Sequence, residues 1–174
     1  RIGIVNTIEH CENIHPDDIP RFAELGVVAS VQPYHLTLDS DEKISRIGME
    51  RCRFEWPFRS LLDSGAQLAF GTDFPVVDFN PFPNIYAAVT RFDDNGRPTG
   101  ANPNESVNLA EALKAYTYGG ACAYGREREL GTLEAGKLAD VTVVNKNLFA
   151  IPETEIPNCS VGLTVMDGNI VFEI

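Results

Sequence analysis

Long apolar runs are missing from this chain. No stretch approaches the ~18 consecutive residues that a membrane-spanning helix needs. Basic charge is scarce too: 14 Lys and Arg stand against 25 Asp and Glu, a net charge of −11 over 174 residues. So acidic a surface repels phosphate backbones and anionic lipid, which argues against nucleic acid and membrane as partners. The N-terminus lacks the basic region and apolar stretch of a secretory signal. The four cysteines, Cys11, Cys52, Cys122 and Cys159, are widely separated and form no Cys-x-x-Cys. That excludes a disulfide framework and a Cys-rich zinc site, and it predicts reduced thiols in a cytoplasmic protein. A phosphate-binding Gly loop, a Gly-x-Ser-x-Gly elbow and a Cys with a neighbouring candidate base are all absent. Histidine is nearly absent as well, with only three in the chain.

What is present is ordinary for a globular core: 44% of residues are hydrophobic. Residues 1–10 carry Ile2, Ile4, Val5 and Ile8 and read as a strand ending near His10. Acids and prolines after His15 open a helix, with Ile19, Phe22, Ala23 and Leu25 at helical spacing and Gly26 as its stop. A β-branched strand at 27–31 follows, then a loose polar segment at 37–50, a helix from Trp56 to a stop at Gly65, and an apolar strand at 66–70. Such alternation predicts parallel βα units whose strands are buried on both faces. Residues 81–91 read as another helix and 92–106 as a surface loop. Asn108 with Glu111 forms a capping-box signal for a helix that Gly119 and Gly120 break. The tail is β: strands at 141–144 and 161–165, then an Asp167-Gly168 hairpin signal before 170–172.

Three titratable residues sit at consecutive strand ends: His10 after the first, His35 after the second and Asp73 after the third. In parallel α/β folds the C-terminal strand ends carry the chemistry. Imidazole and carboxylate suit zinc and similar divalent ions. Each residue also has a plain structural reading. His10 fits an ordinary core or surface histidine, and Asp73 fits the cap of the following helix. His35 reads as ligand, loop residue or substrate contact, the last being favoured. Arg51 and Arg59 suit a carboxylate or carbonyl oxygen of a substrate, or simply solvent.

Four stretches, "IEHCENIHPDDIPRFAELGVVASVQPYH", "GTDFPV", "ALKAYTYGGACAYG" and "LGTLEAGKLADVTVVNKN", resemble the amidohydrolase superfamily in order along the chain. The similarity is to its amidohydrolase-3 branch, which includes N-substituted formamide deformylase. That resemblance implies a metal-dependent hydrolase on a (β/α)8 TIM barrel, with a small β-sandwich at the C-terminus. It implies hydrolysis of a carbon–nitrogen bond in a small amide, N-formyl or cyclic amide substrate. His10 and Asp73 would be metal ligands, zinc being the expected ion. Asp73 would also be the catalytic proton acceptor, with His35 near the substrate; Arg51 is a substrate-binding candidate from its residue type alone. Residues 1–130 would correspond to barrel strands six to eight and 131–174 to part of the sandwich. The family's His-x-His pair is absent, so the expectation is a C-terminal part of a longer hydrolase, inactive alone. A homo-oligomer through exposed barrel edges is also expected. Two alternatives remain: a non-catalytic α/β module that associates with itself or a missing N-terminal half, and a metal-free isomerase.

Overall fold

The structure, a computed structural model, describes residues 4–174, with residues 39–41 by backbone alone. The expected strand residue Ile2 lies outside the described residues. The first strand, β1, spans Asn6–Glu9. A single 3-10 turn leads into α1 (Ile19–Leu25), which ends at Gly26 with φ 64°, a left-handed conformation that glycine adopts without a Cβ clash. Next come β2 (Val27–Val31), α2 (Leu36–Ile47), α3 (Met49–Cys52), α4 (Phe58–Asp63) and β3 (Gln67–Phe70). Then α5 (Pro81–Thr90), α6 (Leu109–Lys114) and α7 (Gly120–Ala123) precede β4 (Val141–Val144), β5 (Val161–Met166) and β6 (Asn169–Glu173).

Strands β1, β2 and β3 form a parallel sheet in that order; Glu9 pairs with Ser30 and Ser30 with Ala69. Strands β4, β5 and β6 form a separate antiparallel sheet. The fold is thus mixed α/β, with a β tail. The core lies behind β2 and β3, where Val31, Leu36, Trp56, Phe58, Leu61 and Leu68 are at most 1% exposed. Leu148, Ile156 and Cys159 from the tail join the same core.

Three expectations need correction. The strands are not all buried: β1 is exposed along its whole length, because among the described residues only β2 flanks it. Residues 37–50 are not loose but hold α2 and α3. That helix is polar because little of it faces the core, and it is tied down at Lys43, whose Nζ sits 3.5 Å from the Trp56 ring centroid and 2.9 Å from Glu12 Oε2. Finally, Gly119 and Gly120 do not break a helix. A π-helical segment, Ala115–Gly119, joins α6 to α7. A Cβ at Gly119 would stand 2.1 Å from the Leu68 carbonyl oxygen, so this glycine exists to let the helix lie on β3. The capping box at the start of α6 is present, with Asn108 and Glu111 bonding reciprocally.

The 92–106 loop is ordered around buried charge rather than simply solvated. Arg91 ahead of it is 1% exposed and donates from Nη1 to the Trp56 carbonyl at 3.0 Å. Glu55 is fully buried and accepts from the Ala101 N–H at 2.6 Å. Gly100, at φ 76°, leaves space beside both side chains: a Cβ there would stand 2.9 Å from Arg91 Nη2 and 2.9 Å from Glu55 Oε1.

Candidate metal centre

The three parallel strands end at one level. Glu9 ends β1, Val31 ends β2 and Phe70 ends β3, and the Gly71 N–H still bonds the Val31 carbonyl at 3.0 Å. The chain then turns sharply at two of the three candidate residues. His10 has φ 68°, its neighbour Cys11 has φ 51°, and Asp73 has φ 58°. Left-handed conformations in non-glycine residues cost roughly 1–3 kcal/mol each and cluster at functional sites.

The result is a single cluster. Ligand atoms of His10, His35 and Asp73 all lie within 4.8 Å of one another. The imidazoles of His10 and His35 stack, with centroids 5.8 Å apart and planes inclined by 23°. His35 is buried, held in a short 3-10 turn (Pro33–His35) directly ahead of α2. The Asn84 side chain accepts from the Tyr34 N–H at 3.0 Å and fixes that turn. Tyr34 in turn donates its hydroxyl to Asp94; burial and then Asp94 push the phenol up to about 12.

Asp73 does not cap a helix. Its carbonyl accepts from the Val76 N–H at 2.8 Å, and α5 is capped by Asn80 instead. That removes the structural reading of this carboxylate. His10 likewise has a specific partner, with Nδ1 2.9 Å from Gln32 Oε1. Cys11 beside it is not in the group: its thiol donates to the Ile8 carbonyl at 3.3 Å, and burial, then Glu9, pushes it up to about 12. The third histidine, His15, lies at the exposed start of a 3-10 turn, accepting from the Asp17 N–H.

Three of the four predicted site residues come together. These are His10, His35 and Asp73, and the fourth is Arg51. It lies exposed on α3, where its carbonyl accepts from the Asn13 side chain at 3.1 Å. Arg59 pairs with Glu111 and Asp63. Gln32 and Glu9 escaped the sequence reading. The signal for Gln32 was a polar residue at the end of an apolar strand, immediately before a proline.

Two imidazoles and one carboxylate are a donor set that suits zinc or a similar divalent ion. Three donors do not close a coordination sphere, and no further His, Cys, Asp or Glu among the described residues joins the group. A cleft of about 760 Å³ opens beside β1, between Ile8, Phe22, Leu25 and Val27; it reaches His10 but neither His35 nor Asp73.

Residues 1–172 match the amidohydrolase family. Among curated relatives, the Arabidopsis thaliana protein LONG AFTER FAR-RED 3 is 40% identical over 141 residues, covering 80% of this chain and 24% of that protein. The N-substituted formamide deformylase of Arthrobacter pascens is 34% identical over 118 residues, covering 68% of this chain and 21% of that enzyme. Among solved structures, an uncharacterized metal-dependent hydrolase from Pyrococcus horikoshii matches with a TM-score of 0.75 at 28% identity, covering 84% of this chain and 30% of that one. The chain thus spans about a fifth to a third of the length of these relatives. With the match running from end to end of the sequence, the chain belongs to the amidohydrolase family.

Proposed function

We propose that this chain carries the C-terminal-strand portion of a metal-dependent hydrolase site, acting on a carbon–nitrogen bond in a small amide, N-formyl or cyclic amide. The observation that carries this is the convergence of His10, His35 and Asp73 from three consecutive strand ends. The metal-dependent hydrolase and the formamide deformylase among the relatives support the reaction class. In this reading the parallel sheet is a segment of a (β/α)8 barrel, with 131–174 leaving the 1–130 unit for a sandwich.

His10 and Asp73 would hold the ion, and zinc fits their nitrogen and oxygen donors. His35, placed among the same donors, is a third ligand or a substrate contact. When bound, a divalent ion supplies polarisation of the scissile carbonyl and makes water acidic enough to attack near neutral pH. Asp73 accepts the proton from the attacking water and returns it to the leaving amine. The buried ring of His35 stays beside the reacting carbonyl and orients it. Arg51 would meet the substrate only from the rim.

The donor set is short of ligands, and the open side of β1 lies next to His10. The remaining ligands therefore come from polypeptide packed along β1, in the same parent protein or in a second copy. Without it the chain is inactive. Elemental analysis after dialysis against metal-free buffer should find up to one zinc per chain. A panel of N-formyl, N-acyl and cyclic amides should show no turnover by the chain alone with zinc. Turnover at ordinary enzyme rates would overturn the incompleteness. Zinc retention unaffected by His10→Ala and by Asp73→Ala would overturn the site.

The unpaired β1 edge favours a second reading, a non-catalytic module that self-associates. Exposed strand edges and apolar surface promote association. A monomer at micromolar concentration by light scattering would count against it.

A further inference from the structure

A line of polar side chains runs from the end of β1 to the end of β2, outside the group of ion donors. The sheet register sets Glu9 beside Ser30. The Ser30 hydroxyl donates to Glu9 Oε2 at 2.6 Å, and Gln32 Nε2 approaches the same oxygen at 3.4 Å. The other end of the Gln32 amide, Oε1, stands 2.9 Å from His10 Nδ1. Gln32 is 5% exposed, so water competes little for its amide.

The donor and acceptor inventory makes this line directional. A carboxylate only accepts, so the Gln32 group that faces Glu9 is the NH2. The group facing His10 is then the amide oxygen, which also only accepts. His10 must present a hydrogen at Nδ1. In a neutral ring that leaves the lone pair on Nε2, the one nitrogen then able to bind an ion.

We propose that Glu9 and Gln32 are positioning residues that set the tautomer of His10. Glu9 fixes which way the Gln32 amide points. Gln32 fixes the proton on Nδ1. Ser30 holds the Glu9 oxygen that does the fixing. The consequence for metal binding rests on the reading of His10 as a ligand, but the tautomer is a property of this chain with or without an ion. Glu9→Gln alters the logic without altering the shape. An amide at position 9 can accept as well as donate, so Gln32 becomes free to turn its NH2 toward His10 and place the hydrogen on Nε2.

Two-dimensional 15N–1H spectra of the full metal-free chain, at a pH above the imidazole range, report which nitrogen carries the hydrogen. The native chain should show His10 with hydrogen on Nδ1. E9Q should show a mixture or the opposite form. The double variant E9Q/Q32E should return to the native form, because a carboxylate at 32 can only accept and the amide at 9 can donate to it. Hydrogen on Nε2 in the native chain, or an unchanged ring in folded E9Q, would overturn the proposal. If E9Q fails to fold, the native and E9Q/Q32E spectra carry the test, and hydrogen on Nε2 in either overturns it. Zinc titration then separates the two readings. If His10 is a ligand, E9Q lowers affinity by about 10- to 100-fold, the usual cost of losing a residue that orients a ligand. A tautomer that behaves as stated with no zinc bound would leave the positioning role standing and show that these three donors do not hold zinc by themselves.

Discussion

His10 and His35 stack with their ring centroids 5.8 Å apart, although 25 residues separate them in the chain. With Asp73 they form one group of possible ligand atoms, all within 4.8 Å of one another. An ion held there would occupy imidazole nitrogens that protons otherwise take. Metal binding therefore competes with protons. Zinc affinity should fall as the pH drops from about 8 to about 5. Isothermal titration across that range checks this. His15→Ala should leave the curve unchanged, since His15 sits outside the cluster, and a pH-independent affinity would place the ion elsewhere.

Gly119 lies against the Leu68 carbonyl with no room for a methyl group. Gly119→Ala should push the π segment off β3 and cost at least about 2 kcal/mol, at the upper end of overpacking effects. Gly120, with open space around its Cβ position, is the control: Gly120→Ala should be neutral or stabilising. Thermal unfolding of the two variants distinguishes them, and equal melting temperatures would refute the close-approach argument.

Arg91 is held inside the protein beside Glu55, and burial lowers its guanidinium to about 10. Removing it leaves buried carboxylates without their cation. Arg91→Met should destabilise by about 3 kcal/mol or more, as breaking buried charge arrangements does. Burial raises Glu55 toward its neutral form. Adding Glu55→Gln to Arg91→Met should therefore recover part of the loss, and strict additivity in denaturant unfolding would exclude coupling.

Asp93 accepts backbone N–H bonds from Arg97 and Asn95 and pairs with the Arg97 side chain. The Arg97 backbone bond leads in lowering its carboxyl to about 2. The folded pKa is below the unfolded one, so the unfolded chain binds more protons in between. The stabilisation is complete above about pH 4 and is lost as pH falls toward 2. Asp93→Asn should flatten the acid limb of stability in that window. An unchanged limb would mean that other carboxylates carry it.

Much of the site was legible because strand ends are legible. The apolar runs before His10 and Gln32 and before Gly71 stop abruptly, and in a parallel sheet such stops fall on one rim. The family resemblance then marked His10 and Asp73. Other features were not legible. Helix α2 has too few apolar residues to announce itself, since it is anchored by Lys43 on Trp56 and on Glu12. Gly119 reads as a breaker because a string of residues does not show the β3 carbonyl that excludes a Cβ. Nor does a string of residues show that Arg51 stands exposed on α3, its carbonyl accepting from the Asn13 side chain.

By itself the sequence determined the alternation of strands and helices, the capping box at Asn108 and the residues worth suspecting. These follow from local hydrophobic period, turn chemistry and the known habits of residue types. Only the tertiary structure decided that His35 joins His10 and Asp73 and that Asp73 is not a helix cap. It also decided that the Gln32 amide stands between Glu9 and the His10 ring. Those facts depend on sheet register and on the angles at which the chain leaves each strand, which pairing between distant segments sets and no local pattern encodes.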